Sequence, residues 1–250
     1  MSEAPPRPPR LTALLGVKIA TWLGLAVGIC VPYFALQRLD LFPQRTLPAL
    51  ALDAWVDFSP GWLWVYLSIA LLVPLAPLLA TQRDELARYA RGLALVCVPC
   101  FVAFLLVPVE GPRPEVLPAH GGYEWLASVD RTTNSFPSLH AALAVYSLLF
   151  ACRVMRRDLS RGAWLALAAA GSLWVLAILY STLATRQHWA LDLPAGALLA
   201  WIAHARAWRS ARAGRREAHA GRDGLSTAAS VQTPIKAAKI DRYWPGVQSK

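Results

Sequence analysis

The chain has 250 residues, of which 56% are hydrophobic and only 16% charged, and its 25 Lys and Arg outnumber 15 Asp and Glu to leave a net charge of +10. Several uncharged stretches of about membrane-spanning length exclude a soluble domain and predict an integral membrane protein. No aromatic interleaving or binding motif accompanies the positive charge, which speaks against a nucleic-acid partner.

Residues 1–10 carry four prolines and read as a cytoplasmic leader outside the fold. The first uncharged run, Ile19–Gln37, is too long for a signal peptide and is followed by no small-residue cleavage site, so it is expected to remain as a span. Trp62–Gln82, Gly92–Val109 and Gly162–Thr185 are further uncharged runs of spanning length. Leu139–Cys152 and Leu193–Ala205 are shorter, and reach that length if Ser138, His140, His188 and Asp192 form their outer turns. The expected fold is all-α: a six-transmembrane-helix bundle over residues 11–208. Short loops rich in Lys and Arg stay in the cytoplasm. Here these are the turn with Arg83, Arg88 and Arg91 and the turn with Arg153, Arg156, Arg157 and Arg161. Both termini are then cytoplasmic, in what reads as a bacterial inner membrane, and residues 38–61, 110–137 and 183–188 face outward. Residues 209–250 read as a basic, disordered cytoplasmic tail, with Arg206, Arg209, Arg212 and Arg216 at helical spacing toward anionic headgroups of the bilayer. The four cysteines fall in apolar runs and read as small hydrophobes; Cys97 and Cys100 lack a second ligand pair, so no metal site is expected, and no cofactor is implied.

Three polar blocks fall on the outer face. Ionisable groups at membrane depth are costly and usually line a site, so these blocks are read as chemistry first. Ser135-Phe136-Pro137-Ser138-Leu139-His140 opens one apolar run. Its helix N-terminus offers free backbone N–H groups to a phosphate, Ser135 suits the cap, Pro137 the first turn, and Ser138 adds a hydroxyl. His140, protonated, is placed to give a proton to a departing alkoxide. His188 and Asp192 are spaced one helical turn apart, so that the carboxylate accepts the Nδ1 hydrogen and leaves Nε2 basic, as a nucleophilic imidazole requires. Arg113, stiffened between Pro112 and Pro114, can clamp phosphate oxygens. The competing account of each block is ordinary: a serine-rich helix start, a His–Asp bond locking two helices, an arginine at headgroup level.

Taken together, Arg113-Pro114, then Pro137-Ser138-Leu139-His140, then Ser181-Thr182 with His188 and Asp192 resemble in order and spacing the three motifs of the type-2 phosphatidic acid phosphatase superfamily. Two positions depart from its pattern. Leu106 stands where the first motif has lysine, and Thr182 where the third has arginine; Arg186 is a candidate to restore one of these charges. The segment Tyr180 to Trp189, with Asp53, Phe58 and Pro60 in the first outer loop, is most similar to the inositol phosphorylceramide synthase-like branch. The resemblance implies a metal-independent phosphatase or phosphotransferase acting on a lipid phosphate, with the active site at the extracytoplasmic face. It implies that His188 is the nucleophile that forms a phosphohistidine, that His140 is the leaving-group acid and Asp192 the orienting carboxylate, and that Arg113, Ser138 and Arg186 hold the phosphate. Phosphatase and phosphotransferase stay open at this point, as do the lipid and the oligomeric state. A non-catalytic protein that binds anionic headgroups is the alternative from another class.

Overall fold

A computed structural model describes residues 10–209 other than 11, 40, 115 and 120. The leader up to residue 9 and the tail from residue 210, with Arg212 and Arg216, lie outside the described residues.

Uncharged runs become helices because a bilayer interior offers no water to backbone N–H and C=O groups, so each must be paired within its own segment. The long helices are α1 (Leu15–Leu36), a second run containing α3 (Leu63–Leu67) and α4 (Ile69–Leu78), α5 (Arg83–Leu106), α7 (Leu139–Met155), α8 (Arg161–Ala184) and α9 (192–209). Two short helices, α2 (Ala51–Trp55) and α6 (Gly121–Val129), lie in the segments between them. Among the described residues, four of these stretches are long and apolar enough to cross a bilayer: Leu15–Leu36, Pro60–Leu78, Arg83–Leu106 and Arg161–Ala184. That is the mark of an integral membrane protein; α7 is apolar but shorter. The helices tolerate Pro32, Pro74, Pro77 and Pro99, as membrane helices do when neighbours re-satisfy the freed carbonyls. At Val73, next to Pro74, the carbonyl accepts from the Tyr89 hydroxyl at 2.6 Å.

At the centre is α7, packed against α4, α5 and α8, while α1 lies against α5. The core joins Leu93, Val96 and Cys100 of α5 to Tyr146 and Phe150 of α7 and Ala203 of α9. Its buried hydroxyls are all satisfied: Tyr89 also shares a hydrogen bond with Ser147 at 2.9 Å, and Tyr146 donates to the Arg88 carbonyl at 2.9 Å. Leu23, Val27 and Val31 of α1 and Leu173 and Leu176 of α8 are exposed, an apolar surface suited to lipid.

The two ends of the bundle differ. At one end Arg157 pairs with Glu85 and donates to Thr81 at 2.8 Å, and Arg10 pairs with Asp158 and reaches the Leu79 carbonyl. The other end is made of irregular chain. There β1 (Arg45–Thr46) and β2 (Val109–Glu110) form a short parallel pair, Val109 also bridges Asn134, and the Ser59 amide donates to the Ala184 carbonyl at 2.8 Å. This second end carries all three motif blocks.

Candidate active site

His188 sits in the turn of residues 185–191, between α8 and α9, and Asp192 is the first residue of α9. The two therefore meet across a turn and not along a helix, a correction to the expected geometry. The turn is built by the carboxylate itself: Asp192 Oδ2 accepts from the Trp189 amide at 2.9 Å, and the Asp192 amide donates to the Trp189 carbonyl at 3.0 Å. His188 Nδ1 then lies 3.1 Å from Asp192 Oδ2 and 3.0 Å from the Ser135 carbonyl oxygen. Both neighbours only accept, so Nδ1 carries the hydrogen and Nε2 is the nitrogen with a free lone pair.

Ser138 takes the cap position expected of Ser135. The N-cap of α7 is Ser138, whose Oγ accepts from the Ala141 amide at 3.1 Å. Ser135 lies before the helix and donates its hydroxyl to Asp192 Oδ2, adding a third donor to that oxygen. Pro137 likewise precedes α7. The Ser138 amide donates to the Asp192 carbonyl at 3.2 Å, tying the starts of α7 and α9 together. Ser138 is fully buried, and its oxygen accepts from the Ala141 amide while its own hydrogen remains to donate.

His140 stands on the first turn of α7, and its ring lies 5.7 Å from that of His188, centroid to centroid, at 61°. One phosphoryl group can touch both rings at that separation. On its other side His140 stacks on Tyr66 at 4.3 Å, and Tyr66 donates to Asp130 at 3.2 Å. Asp130, which sequence reasoning did not single out, is buried and also accepts from Tyr33 at 2.9 Å and from Gln37.

Arg113 donates to Gln187 Oε1 at 2.8 Å, and its Nε is buried without a hydrogen-bond partner. An unpaired guanidinium N–H on a side chain bonded to Gln187, the residue before His188, suits an anion. Gln187 in turn donates to the Thr185 carbonyl at 3.2 Å, which also accepts from Tyr123 at 2.8 Å. Burial pushes the Tyr123 phenol above its ordinary value, so it stays a donor near neutral pH.

Arg186 behaves differently from the expectation that it grips phosphate. Its backbone is left-handed, with φ 53°, and its guanidinium donates to the carbonyls of Asp53 at 2.8 Å and Val56 at 2.9 Å. The same loop is held from the other side, because Asp53 accepts from the Ala190 amide at 2.7 Å and the Leu50 amide at 2.7 Å. Arg186 and Asp53 thus clamp residues 50–56 onto the turn of residues 185–191. Arg186→Ala is expected to lower stability by about 2 kcal/mol, from the loss of charge-assisted bonds to buried carbonyls, read as a lower Tm in detergent. Neither departed motif position supplies a charge: Thr182 is buried with its hydroxyl on the Leu179 carbonyl at 2.7 Å, and Leu106 is 52% exposed at the end of α5.

A close helix crossing holds these parts in register. A Cβ added to Gly196 of α9 would come 2.3 Å from the Ser138 carbonyl oxygen and 3.1 Å from the Ala141 Cβ. Gly196→Ala therefore has to push α9 away from α7 close to where the Ser138 amide bonds the Asp192 carbonyl. Misplacement of reacting groups by about 1 Å can cost on the order of a hundredfold in rate. The expected result is a loss of that size in kcat for a protein that still elutes as a folded species.

Comparison with known proteins bears on this arrangement. The family model of the PAP2 superfamily matches residues 85–216, more than half of the chain. The chain belongs to the PAP2 superfamily. Members of the PAP2 superfamily are in general phosphoesterases and phosphotransferases, so membership gives this chain the same coarse activity on phosphate-bearing substrates. The matched region includes His140, His188 and Asp192 and leaves out α1, α3, α4 and Arg186's partners in the first outer loop. Searches of curated proteins and of solved structures returned no match.

Proposed function

We propose that the chain is a membrane-embedded lipid phosphate phosphatase or phosphotransferase that works through a phosphohistidine on His188. The observation that carries this reading is the His188 ring, held at Nδ1 between two acceptors with Nε2 free and a second imidazole 5.7 Å away. In the first step Nε2 attacks phosphorus in line and the ester P–O bond breaks. His140 gives its proton to the departing oxygen. Arg113 holds equatorial phosphate oxygens, and Asp192 stabilises the charge that appears on the His188 ring. In the second step water or another alcohol attacks phosphorus, His140 takes its proton, and the P–N bond breaks. The domain extends over residues 11–208 as six spans, with the site on the extracytoplasmic side and both termini in the cytoplasm. A reporter after Arg157 should then read as cytoplasmic and one within residues 121–129 as extracytoplasmic; the reverse pattern would reject the topology.

A second reading, transfer of a phosphoinositol-type headgroup to a lipid hydroxyl as in the inositol phosphorylceramide synthase-like branch, is favoured by the count of cations. Leu106 and Thr182 are uncharged, and Arg186 is engaged by Asp53 and Val56, which leaves Arg113, with its buried unpaired Nε, and Arg131, which lines the small cavity containing His188. A phosphodiester carries one negative charge and a monoester carries about 1.5 to 2, so a cation-poor site suits the diester. The test is the purified protein offered lipid monoesters and diesters, with and without alcohol acceptors. Phosphate release from monoesters supports the phosphatase, and an acceptor-dependent product from diesters supports the transferase. Turnover of neither class would leave only headgroup binding.

A further inference from the structure

The two histidines are held in different ways. His188 is fixed by hydrogen bonds at Nδ1, whereas the ring of His140 lies flat against another ring, that of Tyr66, 4.3 Å away with the planes 25° apart. Among the described residues no hydrogen bond ties either ring nitrogen of His140, so both stay available for proton transfer. Tyr66 itself is tightly placed. It is buried, packs with Leu63 and Leu126, and donates its hydroxyl to Asp130 Oδ2 at 3.2 Å. Asp130 follows directly on α6 and is buried, and a buried carboxylate needs donors. The end of α1 supplies the others. Tyr33 donates to Asp130 Oδ1 at 2.9 Å, the Gln37 side-chain nitrogen donates to the same oxygen, and the Gln37 side-chain oxygen accepts from the Arg131 amide at 3.1 Å. Tyr33, Gln37 and Tyr66 all lie outside residues 85–216, the stretch that the PAP2 family model matches.

We propose that Tyr66 and Asp130 are positioning residues for His140: the carboxylate anchors the Tyr66 ring by its hydroxyl, and the ring sets the plane of the imidazole. The inference rests on the catalytic reading above and deepens its first step. A leaving-group acid must keep its N–H aimed at the departing oxygen, and an imidazole whose nitrogens are unbonded can turn about its side-chain torsions unless its face is held. Stacking holds the face and leaves both nitrogens at an open edge, which a hydrogen bond to either nitrogen would not. The bond to Asp130 adds what stacking lacks, because it keeps the Tyr66 ring from sliding in its own plane. Asp130 in turn is fixed from the end of α1, so the aim of a histidine on α7 is set by α1 and α3. A tyrosine that only filled space would have no reason to act on one class of leaving group more than another.

The test uses the full-length protein in detergent with paired nitrophenyl and alkyl phosphoesters. Tyr66→Leu removes the stack, and kcat for the alkyl ester should fall on the order of a hundredfold, the size that misplacing a reacting group by about 1 Å produces. The nitrophenyl ester, whose leaving group needs little help from a proton, should lose far less. Tyr66→Phe keeps the stack and loses the bond to Asp130, and Asp130→Asn keeps one acceptor oxygen in place of two. Each should show the same selectivity with a smaller loss of about tenfold, the scale of one hydrogen bond to a charged group. In a His140→Ala background none of these changes should slow the alkyl ester further, because residues that act through one group are not additive. If Tyr66→Leu loses nitrophenyl turnover through misfolding, Tyr66→Phe and Asp130→Asn decide. Equal losses on both esters, or losses that add to that of His140→Ala, would overturn the inference. Failure of the catalytic reading looks different: His140→Ala alone would then slow both esters equally, and the inference would fall with it.

Discussion

His188→Ala is expected to abolish turnover of every phosphoester, activated or not, with a loss on the order of 10⁶-fold, the size seen when a nucleophile is deleted from a hydrolase triad. The physical reason is that the His188 Nδ1 is fixed by two acceptors, which leaves its Nε2 to form the bond to phosphorus. His188 is buried to 5% exposure with its Nδ1 between Asp192 and Ser135, so the ring cannot turn to present the other nitrogen without losing both contacts. Asp192→Asn should be milder, about 10³- to 10⁴-fold, because an amide can offer its NH₂ to Nδ1 and stabilise the wrong tautomer. Both variants should keep the fold, which near-unchanged Tm values would check. Residual activity above a thousandth in His188→Ala would move the nucleophile elsewhere.

His140→Ala carries the second large effect, and the effect should depend on the leaving group. A general acid contributes roughly 10²- to 10⁴-fold when the departing alkoxide is basic. Nitrophenolate leaves with little help from a proton, so its turnover should fall far less than that of an alkyl phosphate. The ratio of the two rates, measured in the unmodified protein and in His140→Ala, isolates this role from any structural part the ring plays against Tyr66. Equal damage to both substrates would reject His140 as the leaving-group acid.

Much of the architecture is legible in hydropathy, because the bilayer forces each uncharged run to pair its own backbone. The runs at Ile19–Gln37, Gly92–Val109 and Gly162–Thr185 fall largely within α1, α5 and α8. Spacing and motif also pointed to three blocks that the fold brings to one end of the bundle, but their local geometry was not legible. His188 and Asp192 stand four apart, which fits a helical turn, and yet Asp192 bonds the Trp189 amide and ends the helix pattern before it reaches His188. Ser135 and Ser138 have equal cap propensity; the need of Asp192 for a donor, which sequence cannot display, assigns one to the carboxylate and the other to the cap. Arg186 shows the same limit. Its charge and its nearness to His188 in sequence suggested phosphate, whereas its left-handed backbone turns the guanidinium toward Asp53 and Val56, more than a hundred residues away. Asp130 and Tyr66 escaped notice because their roles rest on long-range contacts.

The central claim is that phosphorus passes through His188 on its way to the acceptor. Its most direct test is the stereochemical course at phosphorus, followed with a substrate made chiral by sulfur and oxygen isotopes and transferred to an alcohol. Two in-line displacements, one by His188 Nε2 and one by the acceptor, invert twice. The account predicts net retention of configuration, and net inversion, the signature of a single direct transfer, would contradict it.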